Sequence, residues 1–311
     1  MKKILIIDDL HPSIKEMLAQ INYDCDYLPT ITREEILSLK DEYIGLLVRS
    51  KTYLDAEVLD CFQSLKFIGR AGAGVDLIDL DEVKKRNIQL LNAPEGNRDA
   101  LAEHNLALVL GMLNHSVRGH QEIESLSWKR EANRGHELGG MTVGLVGYGF
   151  MGRAFAKRLK AMGCNILAYD KYIKNFSDEY VTECSMEDIY QNADLFTIHV
   201  PLNDDTEFML NDAFFNSFKK PIWFTNTARG KVLDTKSLLN AMKEGKVLGA
   251  ALDVLENEKP ETWSSEFKAV MKELFDTGRF QITPHVGGWT FESYLKINEV
   301  LVQKINSLDF D

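Results

Sequence analysis

Two histidines stand at the ends of short runs that are typical of β-strands, and histidine exchanges protons near neutral pH. His199 closes "FTIHVP", while His285 follows "RFQI" and precedes Gly287 and Gly288. Open parallel sheets bind their ligands at the carboxyl ends of the strands, so both histidines are candidate acid–base residues. The alternative for each is a structural histidine whose ring only satisfies local hydrogen bonds. Surface or packing positions are expected for the other five histidines, which are His11, His104, His115, His120 and His136.

Charged residues follow two further predicted strands. "NTARG" places Arg229 beside Gly230, where a guanidinium could bind a carboxylate through two parallel hydrogen bonds. "ALDVLENEKP" carries the carboxylates of Asp253, Glu256 and Glu258. A carboxylate beside a histidine favours the imidazolium and fixes the ring. Each charge alone could be a solvated loop residue, but together they suit a reaction that moves the hydroxyl proton of a small acid.

A glycine-rich turn lies between a predicted strand and a predicted helix in "TVGLVGYGFMGRAFAKRLKAMGCNILAYD". Gly147 allows a tight turn, Gly149 allows close approach to a pyrophosphate, and Gly152 allows the helix to pack on the strand. Asp170 closes the next strand and can accept hydrogen bonds from both ribose hydroxyls while repelling a 2′-phosphate. The pattern predicts a dinucleotide site that favours NAD over NADP, although the neighbouring Lys171 leaves room for NADP. The structural alternative is an ordinary strand-to-helix turn.

A second glycine cluster, "GRAGAGVDLIDLDEV", imitates this pattern with Gly72 and Gly74, but Leu77 stands where the third glycine should be. It is either a tight turn or a loop whose backbone amides line a cleft.

The order of the elements predicts two α/β domains. Ten apolar runs alternate with helical segments, which is typical of parallel sheets covered on both faces, and ten strands are many for one open sheet. About fifty residues without a strand separate "IQLLNA" from "TVGLVG"; Pro94 and Gly96 open this stretch, and Asn97 could cap its long helix. The helical segment after Gly288 is expected to cross back to the first domain.

Composition excludes several classes of partner. The chain has 36 Lys and Arg against 47 Asp and Glu, a formal charge of -11, so its surface repels nucleic acid and anionic membranes. Its four cysteines form no C-x-x-C pair, and no stretch reaches the length of a membrane span. We therefore expect a cytoplasmic protein with no metal site.

Five motifs, in order, resemble those of the D-2-hydroxyacid dehydrogenase family along nearly the whole chain: "GLVGYGFMG", "HVPL", "NTARG", "ALDVLENE" and "PHVGG". The resemblance implies a flavodoxin-like α/β substrate domain formed by residues 1–95 and 287–311. It also implies a Rossmann-type, doubly wound parallel-sheet NAD domain over residues 96–286, and a homodimer formed mainly by the NAD domains.

The resemblance also implies roles for single residues. His285 looks like the family's acid–base, Glu258 like its carboxylate partner, and Arg229 like the residue that binds the substrate carboxylate. The cofactor contacts that it implies are Gly147, Gly149, Phe150, Met151, Gly152, Asp170, His199, Val200, Pro201, Thr206, Thr227, Ala228, Asp253 and Gly287.

Within the family, "LLVRSKT", "GRAGAGVDLIDL" and "NAPEGN" look most like the phosphoglycerate dehydrogenases of serine biosynthesis. That likeness implies substrate contacts from Arg49, Ser50, Ala73 and Gly74, with Arg49 on a phosphate. From its position alone, Arg49 could equally be a surface residue at a strand end. Another 2-hydroxy acid, such as glyoxylate, hydroxypyruvate or D-lactate, is the alternative, and a formate dehydrogenase would not need Arg49. A different class, an NAD-sensing protein similar to transcriptional corepressors, could keep much of the same site.

Some residues depart from the family pattern. Ala100 stands where many relatives have serine or threonine, and Lys259 separates Glu258 from Pro260. Trp289 replaces a small residue after the two glycines, and either packing or a narrower substrate pocket could explain it. The chain ends near the end of the catalytic core, so we expect neither a regulatory domain nor inhibition by serine.

Overall fold

The structure, a computed structural model, describes residues 2–39 and 42–309, and these fall into two compact units. Among the described residues, the first unit runs up to residue 98 and resumes at residue 289, and the second contains residues 99–288. The divisions expected from the sequence lie after residues 95 and 286.

The first unit holds a five-stranded parallel sheet in the order β2-β1-β3-β4-β5, which is the strand order of flavodoxin-like folds. Its strands are β1 (Lys2–Ile6), β2 (Tyr23–Tyr27), β3 (Gly45–Val48), β4 (Phe67–Arg70) and β5 (Gln89–Asn92). Its helices are α1 (Ile14–Gln20), α2 (Arg33–Leu37), α3 (Ala56–Asp60), α4 (Leu80–Lys85) and, from the end of the chain, α12 (Phe291–Asn306). One face of α12 is buried in the core of this unit, through Ile297, Leu301, Val302 and Ile305.

The second unit holds a seven-stranded parallel sheet in the order β12-β11-β10-β9-β6-β7-β8, which contains the Rossmann order with β12 added at one edge. Its strands are β6 (Thr142–Val146), β7 (Asn165–Tyr169), β8 (Thr182–Glu183), β9 (Leu195–Ile198), β10 (Ile222–Asn226), β11 (Val247–Leu252) and β12 (Phe280–Ile282). Its helices are α6 (Ser116–Glu124), α7 (Phe150–Ala161), α8 (Met186–Asn192), α9 (Asp212–Ser217), α10 (Thr235–Lys243) and α11 (Ser265–Asp276). Short 3-10 turns lie at Glu131–Asn133, Gly230–Val232 and Pro260–Thr262. The α/β class, with two parallel sheets, is thereby confirmed.

The helix that joins the two units corrects one prediction. Helix α5 (Pro94–Leu113) begins at Pro94, so Asn97 lies inside its first turn and does not cap it. Proline suits the first helical position, because its ring sets φ to a helical value and the missing N–H would have no partner there.

Within the described residues, no helix is both long and apolar enough to cross a bilayer, and no group of three or more His, Cys, Asp or Glu residues could hold a metal ion.

Candidate active site

His285 forms an ion pair with Glu258 at the carboxyl edge of the second sheet. The two carboxylate oxygens lie 2.9 and 3.0 Å from Nδ1 of the imidazole. Hydrogen bonding to Glu258 raises the pKa of His285, against an opposing effect of burial and of the positive charge on Arg229. Both side chains are about half exposed, and Nε2 has no hydrogen-bond partner among the described residues. The ring is therefore fixed through one nitrogen and can exchange a proton through the other.

The backbone at His285 adopts a conformation that side chains with a Cβ rarely take. Its φ is 55°, in the left-handed region, and its N–H donates to the carbonyl oxygens of Asp253 at 2.9 Å and Thr283 at 3.0 Å. Residues in this region cost free energy unless their surroundings hold them there, and such positions cluster at functional sites. Contacts with neighbouring residues thus hold the backbone of His285 in this conformation, and that conformation sets the direction of the imidazole.

The side chain of Asp253 supplies most of that constraint. It is 2% exposed and accepts hydrogen bonds from the N–H of Val286 at 3.0 Å, the N–H of Gly287 at 2.7 Å and the hydroxyl of Thr283 at 2.5 Å. Burial alone would raise the pKa of Asp253, but these bonds and one from His104 lower it. A Cβ on Gly287 would lie 2.8 Å from the Asp253 carboxylate, so any other residue here would displace that carboxylate. The carboxylate that the sequence assigned to the cofactor therefore holds the loop of His285.

His104 belongs to the same network, although only a surface or packing position is expected for it from the sequence. Its Nε2 lies 2.8 Å from the Thr283 hydroxyl and 3.4 Å from the Asp253 carboxylate. These partners are far from His104 in the sequence, so no local pattern signalled the contact.

Arg229 follows β10 in a loop that is held on both sides. The amide of Asn226 accepts from the N–H of Ala228 at 2.9 Å and donates to the carbonyl of Arg229 at 3.0 Å. A Cβ on Gly230 would lie 1.8 Å from the carbonyl oxygen of Leu255, so the loop packs closely on the chain after β11. The guanidinium donates to the Ala228 carbonyl at 2.7 Å and is near enough to His285 to affect its pKa. Arg229, a cation, and His285, a proton donor, thus lie together at the carboxyl edge of the second sheet.

In the glycine turn between β6 and α7, two glycines have no space for a Cβ and the third has space. A Cβ would lie 2.5 Å from the carbonyl oxygen of His199 at Gly147, where φ is 92°, and 2.1 Å from the carbonyl oxygen of Gly147 at Gly152. A Cβ at Gly149 would meet nothing within 4 Å. Gly149 also caps α7 without a side-chain hydrogen bond, and the first turn contains no acidic residue. This helix start offers its N–H groups and the positive end of its dipole to an anion, which fits a pyrophosphate.

The side chain of Asp170, after β7, is buried and ionised. It accepts from the N–H groups of Tyr148 and Tyr172 at 2.8 Å and of Ile173 at 2.9 Å. Burial would raise the pKa of Asp170, but these backbone hydrogen bonds lower it. Lys171, which the sequence left open as a contact to NADP, forms an ion pair with Asp205 at 2.7 Å.

His199 differs from His285 in its surroundings. Its Nε2 lies 3.0 Å from the hydroxyl of Thr197, and burial lowers the pKa of His199 to about 3. The ring is therefore neutral near pH 7 and is not a proton donor of the kind expected from an imidazolium. In the segment that follows, Val200 is partly buried and Pro201 is exposed, and the Thr206 hydroxyl donates to the Pro201 carbonyl at 2.7 Å.

Other predicted cofactor contacts line the same edge of the sheet. Thr227 and Ala228 follow β10 and are buried, and Phe150 and Met151 begin α7 with partly exposed side chains. The buried hydroxyl of Thr227 has no hydrogen-bond partner among the described residues. A buried polar atom without a partner is uncommon, and a polar ligand at this edge would supply one.

The predicted substrate residues belong to the first unit and lie after neighbouring strands of its sheet. Arg49 follows β3, and its N–H donates to the buried carboxylate of Asp8. Ser50 is exposed, and Gly74 is partly buried in the loop after β4. The carbonyl of Ala73, in that same loop, accepts from the amide of Asn92 at 2.8 Å. The ammonium of Lys51 is bonded to the carbonyls of Pro29 and Ile31, each at 2.8 Å.

Comparison with known proteins agrees with the family resemblance of the sequence motifs. Residues 106–287 match the family model described as "D-isomer specific 2-hydroxyacid dehydrogenase, NAD binding domain". A D-3-phosphoglycerate dehydrogenase of Archaeoglobus fulgidus is 32% identical over 97% of this chain and 56% of its own length. A hydroxypyruvate reductase of Thermotoga maritima is 32% identical over 88% of each chain.

A solved D-lactate dehydrogenase of Aquifex aeolicus, complexed with NAD and lactic acid, superposes with a TM-score of 0.81 at 26% identity. The match covers 98% of this chain and 94% of that one. The chain spans about half the length of the D-3-phosphoglycerate dehydrogenases that it matches.

Proposed function

Because this chain belongs to the D-isomer specific 2-hydroxyacid dehydrogenase family, we propose that it transfers hydride between NAD(H) and C2 of a 2-hydroxy or 2-oxo acid. The observation that carries the proposal is the ion pair of His285 with Glu258. Nε2 of the protonated ring, which has no hydrogen-bond partner among the described residues, can then reach a substrate oxygen, while Arg229 supplies a cation nearby. This is the minimum that a ketone reduction needs besides hydride: a proton donor and a binding group for the acid.

In the reductive direction, His285 as imidazolium donates its Nε2 proton to the oxygen that becomes the hydroxyl. Glu258 stabilises the charged ring before the transfer and keeps its plane fixed. Arg229 binds the substrate carboxylate and orients the 2-oxo group. Oxidation of the hydroxy acid runs the same steps backwards, with neutral His285 as the base. Bound NAD supplies the hydride acceptor or donor.

Residues of the second unit would hold that cofactor. The N–H groups at Gly149, Phe150 and Met151 suit the pyrophosphate, and the Asp170 carboxylate suits the ribose hydroxyls. Since Asp170 is ionised, it would repel a 2′-phosphate, which favours NAD over NADP. The open hydroxyl of Thr227 would find its missing partner on the nicotinamide half.

For the substrate we propose 3-phosphoglycerate and 3-phosphohydroxypyruvate. Among the described residues no carboxylate forms an ion pair with the guanidinium of Arg49, and a chain with a charge of -11 needs local cations to hold a phosphorylated acid. Hydroxypyruvate, the same acid without its phosphate, is the second candidate. It is favoured by the 32% identity of this chain to a hydroxypyruvate reductase.

The second unit also supports a proposed homodimer. Large apolar side chains are exposed on α6 and just after it: Val117, Ile123, Leu126 and Trp128 are 48%, 49%, 96% and 83% exposed. Exposed apolar side chains of this size occur at interaction surfaces, and a second copy of the chain would cover these four. A cytoplasmic location is proposed as well, because the cysteines of the described residues are all free thiols.

The oxidation of NADH with a panel of 2-oxo acids tests the proposal. Phosphohydroxypyruvate, hydroxypyruvate, glyoxylate, pyruvate and a branched 2-oxo acid are compared by kcat/KM, and NADPH is run in parallel. We expect turnover with NADH and the highest kcat/KM for phosphohydroxypyruvate. No turnover with any of the five acids would contradict the dehydrogenase proposal. Equal values for phosphohydroxypyruvate and hydroxypyruvate would contradict only the phosphate assignment.

A further inference from the structure

The guanidinium of Arg49 lies over the ring of an aromatic residue of the first unit. Its central carbon is 3.9 Å from the ring centroid of Trp289 and 5.7 Å from that of Tyr294. Arginine attracts the negative face of an aromatic ring in this way, and tryptophan gives the strongest interaction of this kind. Trp289, which departs from the family pattern after the two glycines, therefore contacts Arg49, the residue predicted to bind the phosphate.

The indole of Trp289 is itself held in place by the start of α12. Thr290 caps that helix through a capping box with Ser293. Trp289 precedes the cap and packs edge-on against Tyr294, with ring centroids 4.8 Å apart, so the pair forms a hydrophobic staple. The hydroxyl of Tyr294 donates to Asp9 at 3.0 Å, and that carboxylate also accepts from Tyr27 at 2.9 Å. These contacts thus fix the position of the Trp289 indole.

The guanidinium of Arg49 keeps its hydrogen-bond donors available. No ion pair or hydrogen bond uses them among the described residues, whereas the guanidinium groups of Arg33, Arg86 and Arg158 are all paired with carboxylates. Stacking occupies the face of a guanidinium and leaves its N–H groups, which lie in the plane, pointing outward. Neither nearby carboxylate is paired with it, because Asp8 accepts the backbone N–H of Arg49 and Asp9 accepts the two tyrosine hydroxyls.

We propose that Trp289 is a positioning residue that orients Arg49 for the distal phosphate of the substrate. The indole fixes the guanidinium plane, so its edge can form two parallel hydrogen bonds to phosphate oxygens without first losing side-chain freedom. Trp289 would then set the preference for a phosphorylated over an unphosphorylated 2-oxo acid. This inference rests on the proposed dehydrogenase function. The purely structural alternative, packing at the start of α12, requires no dependence on the phosphate.

A double-mutant cycle distinguishes the two explanations. The ratio of kcat/KM for phosphohydroxypyruvate to that for hydroxypyruvate is measured in the full chain, in Trp289→Leu, Arg49→Gln and the double variant, and in Trp289→Phe. Phe291→Leu is the matched control, because Phe291 is two residues further on and 95% exposed. Binding of 3-phosphoglycerate and of glycerate is titrated by calorimetry in the same proteins, which needs no turnover.

We expect Trp289→Leu to lower the ratio about 3- to 30-fold, mainly through KM for the phosphorylated acid. Trp289→Phe should restore part of it, Phe291→Leu should leave it unchanged, and Trp289→Leu should have no further effect once Arg49 is replaced. Equal losses for both acids, or additive effects in the double variant, would overturn the inference. If no 2-oxo acid is turned over, the dehydrogenase proposal fails. The calorimetric difference between 3-phosphoglycerate and glycerate then still decides the role of Trp289.

Discussion

At the scale of single residues, the carboxylate of Glu258 determines the pH range in which His285 carries a proton. The motif "PHVGG" and the acidic segment after β11 indicated both residue types. They could not indicate the left-handed φ of His285, or that Asp253 holds this loop with three hydrogen bonds. Those contacts join residues about thirty positions apart, and only the parallel arrangement of β11 and β12 brings them together.

The raised pKa of His285 gives a prediction with a definite sign. Reduction needs the imidazolium, so kcat/KM with a 2-oxo acid should be highest at low pH and fall as pH rises through a pKa above 6.5. In Glu258→Gln the same fall should occur at lower pH, because hydrogen bonding to the carboxylate is the main cause of the raised pKa. Glu261→Gln, an exposed change in the same loop region, is the control and should leave the profile in place. An unshifted profile in Glu258→Gln would mean that another group titrates.

At the scale of elements, most strands could be predicted, since buried parallel strands are continuous apolar runs. Two were not. The edge strand β2 reads "YDCDY", with a polar residue at every second position, and β8 has only two residues. Helix α5 is also predicted, but it begins at Pro94, three residues before the predicted cap Asn97, because proline suits the first position of a helix.

The turn before α7 allows its glycines to be separated by experiment. Gly149→Ala should leave the free energy of unfolding nearly unchanged, because its Cβ would enter open space, yet should raise the Kd for NADH about tenfold or more by blocking the phosphates. Gly152→Ala should lower the free energy of unfolding by about 1–3 kcal/mol, because its Cβ would overlap the Gly147 carbonyl. Denaturant unfolding and fluorescence titration of NADH measure the two effects. A normal Kd in a stable Gly149→Ala protein would place the pyrophosphate elsewhere.

At the scale of the whole molecule, the division into two α/β units follows from counting strands, whereas an assembly leaves little trace in one sequence. The exposed residues Leu126 and Trp128 lie in "ESLSWKRE", where neither strand nor helix periodicity marks them. Their exposure is visible only once the core of the second unit is defined.

A change of these two apolar side chains tests the proposed homodimer. The double variant Leu126→Glu with Trp128→Glu should weaken association about 30-fold or more, because charges would be buried at the centre of the interface. Sedimentation velocity over a range of protein concentrations measures this. Leu80→Glu, a change of an apolar residue 50% exposed in the first unit, should leave the distribution as it is. A wild-type chain that sediments as a monomer would refute the assembly.

We propose that His285 moves the proton while the rest of the second unit holds NAD. Replacement of His285 by alanine, with hydride transfer and NADH binding followed in the same protein, tests it most directly. We predict that turnover of the preferred 2-oxo acid falls about 10²- to 10⁴-fold while the Kd for NADH changes little. Turnover at the wild-type rate in a folded His285→Ala protein would contradict the account.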